Sequence, residues 1–231
     1  MPQQPQQPPS YADITDGTRW ISRPQTWTGL DQMLGDAASS YRRALWHDTR
    51  AEVHVFTEKD AISGVILPVT ERWDVPLEVL RGYSSESFAW SVAQSVIRAP
   101  ADVYVYQLGD HDPSGVDAWR AFTAKVREFV AERYRDVDDW LSFERLAVTP
   151  AQVAEMHLPT RPTKQADSRA ATFSGESVEV DAIPAPQLRR ILEEAITRHI
   201  SRDHMRMITF AEQSERDVLT RMRQMIGGGG S

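Results

Sequence analysis

The chain has 231 residues, enough for one sizeable core with an extension, and nothing in it divides into two equal halves. Its 33 acidic residues against 26 basic ones give a formal charge of −7, the wrong sign for a protein that coats nucleic acid over its whole surface, although a local basic patch or a bound cation still permits a phosphate-facing site. With no cysteine, disulfides and thiolate metal sites are excluded, and no apolar run reaches the length of a membrane span or a signal segment, so the expectation is a cytoplasmic protein with no membrane partner.

In chain order, residues 1–12 are Pro/Gln-rich and are expected to be disordered, and residues 13–50 form a lead-in ending in a helix. That helix is predicted over 30–46, because Leu30, Met33, Leu34, Ala37, Ala38, Tyr41, Ala44 and Leu45 recur at spacings of three and four. Arg42 and Arg43 then fall on its solvated face. Residues 53–57 (V-H-V-F-T) read as a strand that ends in Glu58-Lys59-Asp60 before a helix over 61–72. A second strand, 76–80, ends at Arg81-Gly82-Tyr83, and Ser84 or Ser85 caps the next helix, whose buried side carries Phe88, Ala89, Val92, Val96 and Ile97. The third strand, 103–108 (V-Y-V-Y-Q-L), runs into G-D-H-D-P-S-G at 109–115 and a helix from Pro113 to about Tyr134. Residues 141–148 make a fourth strand, and Thr149-Pro150 starts a short helix to about Met156. Strands and helices alternating with such short connections predict an α/β fold: a Rossmann-like, parallel four-stranded sheet flanked by helices over 51–148.

The extension, 149–226, begins with a polar loop whose Arg161, Lys164 and Arg169 are candidate nucleic-acid contacts. A C-terminal strand is predicted over 177–183, with Glu179 and Asp181 on one face, followed by amphipathic helices over 186–200 and 205–226. Residues 227–231 (G-G-G-G-S) read as a flexible linker.

The chemistry gathers at the strand ends. Open α/β sheets place their ligands beyond the carboxyl ends of the strands, and Asp110 and Asp112 stand beyond the third. Alternation along an extended loop points both carboxylates one way, with His111 turned aside, which suits one hard cation such as magnesium. The plainer role for Asp112 is to cap the following helix, with Pro113 at its first position. Glu58 stands beyond the first strand in the same way, and if the two strands are neighbours it comes within reach of the aspartate pair. Arg81, on the same edge, is either an ion-pair partner of the acids or a phosphate contact. The six histidines form no H-x-x-x-H or H-E-x-x-H pair, and neither G-x-x-x-x-G-K-[ST] nor G-x-S-x-G occurs, which removes support for a zinc hydrolase, a phosphate-binding loop and a serine hydrolase.

T-E-K-D-A at 57–61 followed by G-D-H-D-P-S-G at 109–115 resembles the Toprim domain in the form found in the A subunit of topoisomerase VI and the related meiotic double-strand-break transesterase. Together with S-Y-R-R-A-L-W at 40–46, L-P-T-R-P-T-K at 158–164 and V-E-V-D-A-I-P at 178–184, it is similar to stand-alone proteins of this type encoded by phages and prophages. The resemblance implies a Toprim-like fold, Mg2+ or Mn2+ held by Glu58, Asp110 and Asp112, and action on DNA phosphodiesters in a bacterial or phage-infected cell. It matches Lys59 beside the first acid more weakly. A homodimer or a partner subunit is a further expectation, since half of such a site can come from a second chain.

One departure is large. The related transesterases carry a winged-helix domain whose tyrosine attacks the phosphodiester, and the fifty residues ahead of the first strand cannot hold one. Tyr41 is the tempting replacement, but a tyrosine on an amphipathic helix is ordinarily a packing residue. The expected function is therefore metal-dependent nuclease or topoisomerase-like strand cleavage, with Glu58, Asp110, Asp112, Lys59 and Arg81 as catalytic candidates. The alternative is a non-catalytic binding or assembly module that needs a partner to supply the nucleophile. A phosphoryl-transfer domain is weaker, because such enzymes carry the acidic pair after the first strand rather than the third.

Overall fold

The computed structural model describes residues 24–80, 85–162, 173 and 175–227. Four strands, β1 (Ala51–Thr57), β2 (Leu77–Val79), β3 (Asp102–Leu108) and β4 (Leu141–Ala147), form one parallel sheet in the order β2-β1-β3-β4. Strands β1 and β3 are buried along nearly their whole length, as central strands covered on both faces must be. The helices α2 (Asp60–Arg72), α3 (Glu86–Arg98) and α4 (Pro113–Ala131) follow β1, β2 and β3, as the sequence pattern requires. On one face α3 and α4 pack Ala89, Val92, Val96, Phe122 and Val126 against Phe56, Val103 and Val105. On the other, α2 and α6 (Ala185–Thr197) bury Ile62, Ile66, Leu188, Leu192 and Ile196 against Val53, Val55 and Leu108.

Because the chain turns from β1 outward to β2 and then returns to build β3 and β4 on the other side, the direction of winding reverses between β1 and β3. A crevice opens at such a switch point, beyond the strand ends. The register fixes what lines it: Thr57 pairs with Leu108, so β1 and β3 finish level, and the next residues are Glu58 and Gly109.

Two expectations are corrected. The predicted helix over 30–46 is α1 (Leu30–Ser40), after which Tyr41 turns extended. Arg42 is not on a helix face at all; its guanidinium donates to the carbonyls of Glu71 (2.6 Å) and Arg72 (3.1 Å), closing the end of α2 that has no further amide donors of its own. The C-terminal strand over 177–183 is replaced by isolated antiparallel bridges, Arg161 with Ser177 and His111 with Val178, followed by a 3-10 turn at Val180–Ala182. The ladder stops because the Val180 amide donates to the Asp110 carboxylate and the Ala182 amide folds back on Glu179. The alternation that put Glu179 and Asp181 on one face ends there.

The short α5 (Pro150–Glu155) starts at Thr149, whose hydroxyl and backbone pair reciprocally with Gln152. The last helix, α7 (Arg202–Gly227), is shared between two compact units. One unit, Arg42–Ala211, holds the sheet and both cores. The other combines α1 with the part of α7 from Glu212 on, joined by Asp31 to Arg223 at 3.0 Å and by the Tyr41 hydroxyl donating to Glu215 at 2.6 Å. Among the described residues no helix is long and apolar enough to cross a membrane.

Candidate functional site

The G-D-H-D-P-S-G segment leaves β3 still paired to its neighbour. Gly109 exchanges hydrogen bonds with Ala147 and Val148, both 2.8 Å. His111 then pairs through its backbone with Val178, at 2.8 and 2.9 Å, and its ring lies against Phe173 with centroids 4.8 Å apart. The imidazole thus rests against an aromatic ring. Burial, with Arg145 nearby, holds its pKa below the ordinary value.

Asp112 caps α4: its Oδ1 accepts the Gly115 amide at 2.7 Å and the Ser114 hydroxyl at 3.3 Å, with Pro113 at the first turn. Asp110 is held on both oxygens. Its Oδ1 accepts the Val180 amide at 2.8 Å, and its Oδ2 lies 3.0 Å from the Lys59 ammonium. Lys59 also reaches Glu179 Oε2 at 3.5 Å, and the other oxygen of Glu179 takes Arg161. Burial works against the charged lysine, but the hydrogen bond and charge of Asp110, with Asp181 and Glu179 behind, outweigh it and raise its pKa. A cavity of about 230 Å³ opens here, lined by Asp110, Asp112, Ser114, Arg161 and Glu179 among others.

Glu58 lies beneath this loop. It lines a separate, far smaller cavity of about 10 Å³ with Gln107, Gly115 and Trp119, and its buried Oε2 has no hydrogen-bond partner among the described residues. Burial, then the charges of Asp110 and Asp112, push its pKa upward; Arg145 and Lys59 pull the other way. The fit around it is close. A β-carbon on Gly115 would stand 2.9 Å from the Asp110 carbonyl oxygen, 3.1 Å from Glu58 Oε2 and 3.3 Å from Asp112 Oδ1, so only glycine lets α4 start this near the acids.

The structure therefore brings Glu58, Lys59, Asp110 and Asp112 to one crevice, and Arg161 to its edge. Arg81, Lys164 and Arg169 lie outside the described residues. The sequence pattern missed Arg145 on β4. Its guanidinium donates to the carbonyls of Val148 (3.2 Å), Gly109 (2.9 Å) and Asp110, so it grips the acidic loop from behind. Glu58, Asp110 and Asp112 all favour its charge against the burial that lowers its pKa. The available signal was an arginine near the carboxyl end of the strand that neighbours the one carrying the acids.

Hard carboxylate oxygens, with neither thiolate nor imidazole among them, suit magnesium or manganese, and the unpartnered Glu58 oxygen is a free donor beside Asp112. As placed, the described residues hold no three His, Cys, Asp or Glu side chains gathered around one point. The reason is visible in the contacts: an ammonium already sits on Asp110, and Glu58 faces the smaller cavity. The chemistry of the donors fits a divalent cation, and gathering them around one requires Glu58 to turn toward the aspartates as well as Lys59 to leave Asp110.

No family model matches the chain, and no curated protein matches its sequence.

Proposed function

We propose that the chain is a Toprim-type, magnesium-dependent protein that cleaves DNA phosphodiesters. The observation that carries this reading is the level ending of β1 and β3 at the switch point of the sheet, which sets Glu58 beside the G-D-H-D loop. Glu58, Asp110 and Asp112 are the residues that would hold the cation. When bound, it supplies charge neutralisation at the phosphoryl oxygens.

The remaining roles follow from the residues themselves. Glu58 takes one of two roles: as a carboxylate it ligates the cation, or, since burial and the two aspartates push its pKa up, it stays off the metal and protonates the leaving oxygen. Lys59, and Arg161 at the mouth of the cavity, offer positive charge to a phosphate that developing negative charge would strengthen. Arg145 holds the loop through its carbonyls and touches no substrate in this scheme. Water is the nucleophile, because Tyr41 is committed to Glu215.

Incubation of the chain with supercoiled plasmid and Mg2+ or Mn2+, beside the D110N/D112N variant, tests this reading. Nicking or linearisation by the wild type alone is the expected outcome. No cleavage by either protein ends the claim of autonomous catalysis. It would favour the second reading, a Toprim-type assembly module whose nucleophile comes from a partner subunit, and the closed Lys59–Asp110 contact is what speaks for it.

A further inference from the structure

We propose that Lys59 is a tethered cation that keeps the site closed, seated on Asp110 until a divalent ion displaces it toward Glu179. This rests on the metal-dependent reading above and adds to it a gate built from this chain's own residues.

Three observations combine. Both oxygens of Asp110 are already engaged, Oδ1 by the Val180 amide at 2.8 Å and Oδ2 by Lys59 at 3.0 Å, so a metal gains an Asp110 ligand most readily by removing the ammonium. Lys59 is the first residue beyond Glu58 and its backbone begins α2, so the displaced side chain stays anchored beside the acids. Glu179 already stands 3.5 Å from the same nitrogen, held there because Val178 and Val180 are pinned to His111 and Asp110. The ammonium can pass from one carboxylate to the other with little movement and without ever lacking a counter-ion. Arg145 does not take its place: Nε and Nη2 are held on the carbonyls of Val148, Gly109 and Asp110, and no ion pair joins it to the acids among the described residues.

In the closed form the lysine neutralises part of the repulsion among Glu58, Asp110 and Asp112, so the loop is folded before any metal arrives. On opening, the same ammonium is released at the mouth of the cavity. Metal loading and presentation of a phosphate-facing cation then become one event.

The chain contains three lysines, Lys59, Lys125 and Lys164, so selective isotope labelling of lysine side chains gives a spectrum simple enough to assign. Lys125, paired with Glu128 at 3.0 Å on α4, is the internal reference. Titration of the full chain with Mg2+ should move the Lys59 side-chain signal saturably and leave that of Lys125 in place. In parallel, K59M should bind Mn2+, measured calorimetrically, roughly two- to fivefold more tightly than the wild type, the size expected for removing one partly exposed competing cation. K59R, which keeps a cation on Asp110 and checks that the helix start tolerates substitution, should bind within about twofold of the wild type.

A metal that binds while Lys59 stays still, or that binds K59M no more tightly, overturns the gate and leaves the metal site standing. If neither the wild type nor K59M binds metal saturably, the metal-dependent reading itself falls, and the gate with it.

Discussion

At the scale of single residues, charge placement decides more than hydrophobicity does, and His54 is a case that can be measured. It is buried in the middle of β1, yet Nε2 lies 2.9 Å from Glu52 and Nδ1 lies 3.4 Å from Glu78. Burial opposes its charge, but the hydrogen bonds and charges of Glu78 and Glu52 outweigh burial and raise its pKa. The folded state therefore holds the proton to a higher pH than the unfolded chain does. The stabilisation is complete below the unfolded value near 6.5 and is lost as pH rises through the folded one. His199 contributes with the opposite sign, because burial lowers its pKa. Replacing His54 with glutamine should thus remove a downward slope and leave the rest: melting temperature against pH, followed from roughly pH 5.5 to 8.5, should separate wild type from H54Q most at the acid end. In free energy the gap there is expected to be about 1.5–3 kcal/mol, the range for a hydrogen bond to a charged group, and to shrink toward the alkaline end. A gap that does not change with pH would mean that His54 is neutral in the fold.

At the scale of elements, α4 serves structure and site through the same side chain, and the two can be separated. Asp112 caps the helix through the Gly115 amide at 2.7 Å while lining the cavity with Asp110. Asparagine caps about as well as aspartate, whereas alanine forfeits the cap at about 1 kcal/mol. D112N should therefore unfold at nearly the wild-type temperature and D112A a few degrees lower, while both lose metal affinity together. Equal destabilisation of the two variants would show that the carboxylate's charge, rather than the cap, supports the helix. This double role is also why the site was only partly legible in the sequence. The strand-end position of Glu58, Asp110 and Asp112 follows from the period-2 runs and short connections, and the parallel sheet confirms it. Hydrophobic pattern carries no information about a side chain that points back at a carbonyl, so Arg145 and the capping of α2 by Arg42 stayed hidden. For the same reason residues 177–183 read as a strand: their alternation is real, but the Val180 amide finds a carboxylate before it finds a ladder partner. Leu45 and Trp46 fit the period of the helix from Leu30 by chance, although α1 ends at Ser40 and the two side chains belong to the core around β1.

At the scale of the whole molecule, the buried apolar side chains among the described residues run from Leu45 to Ile200, all within Arg42–Ala211. Neither α1 nor α7 buries a residue of its own, and large side chains on α7 such as Phe210, Met222 and Met225 are exposed. The unit formed by α1 and the end of α7 is held instead by polar contacts: Asp31 with Arg223, Tyr41 with Glu215, and the Arg216 guanidinium on the Tyr41 carbonyl at 2.9 Å. The exposed ion pair among them contributes little to global stability, and the two part-buried hydrogen bonds join only α1 and the end of α7 to each other. A chain ending at Ala211 should therefore keep the sheet and its two cores, and should melt within roughly 2 °C of the full chain, since surface changes away from a core seldom exceed about half a kcal/mol. The helical signal should nevertheless fall by more than the deleted residues account for. An isolated helix of 11 residues such as α1 is too short to persist once its polar partners are removed. Circular dichroism against temperature reads both quantities in one experiment. A melting point lowered by roughly ten degrees or more, or a transition that broadens into two, would place part of the stabilising core at the C-terminal end of α7 and would overturn this division of the chain.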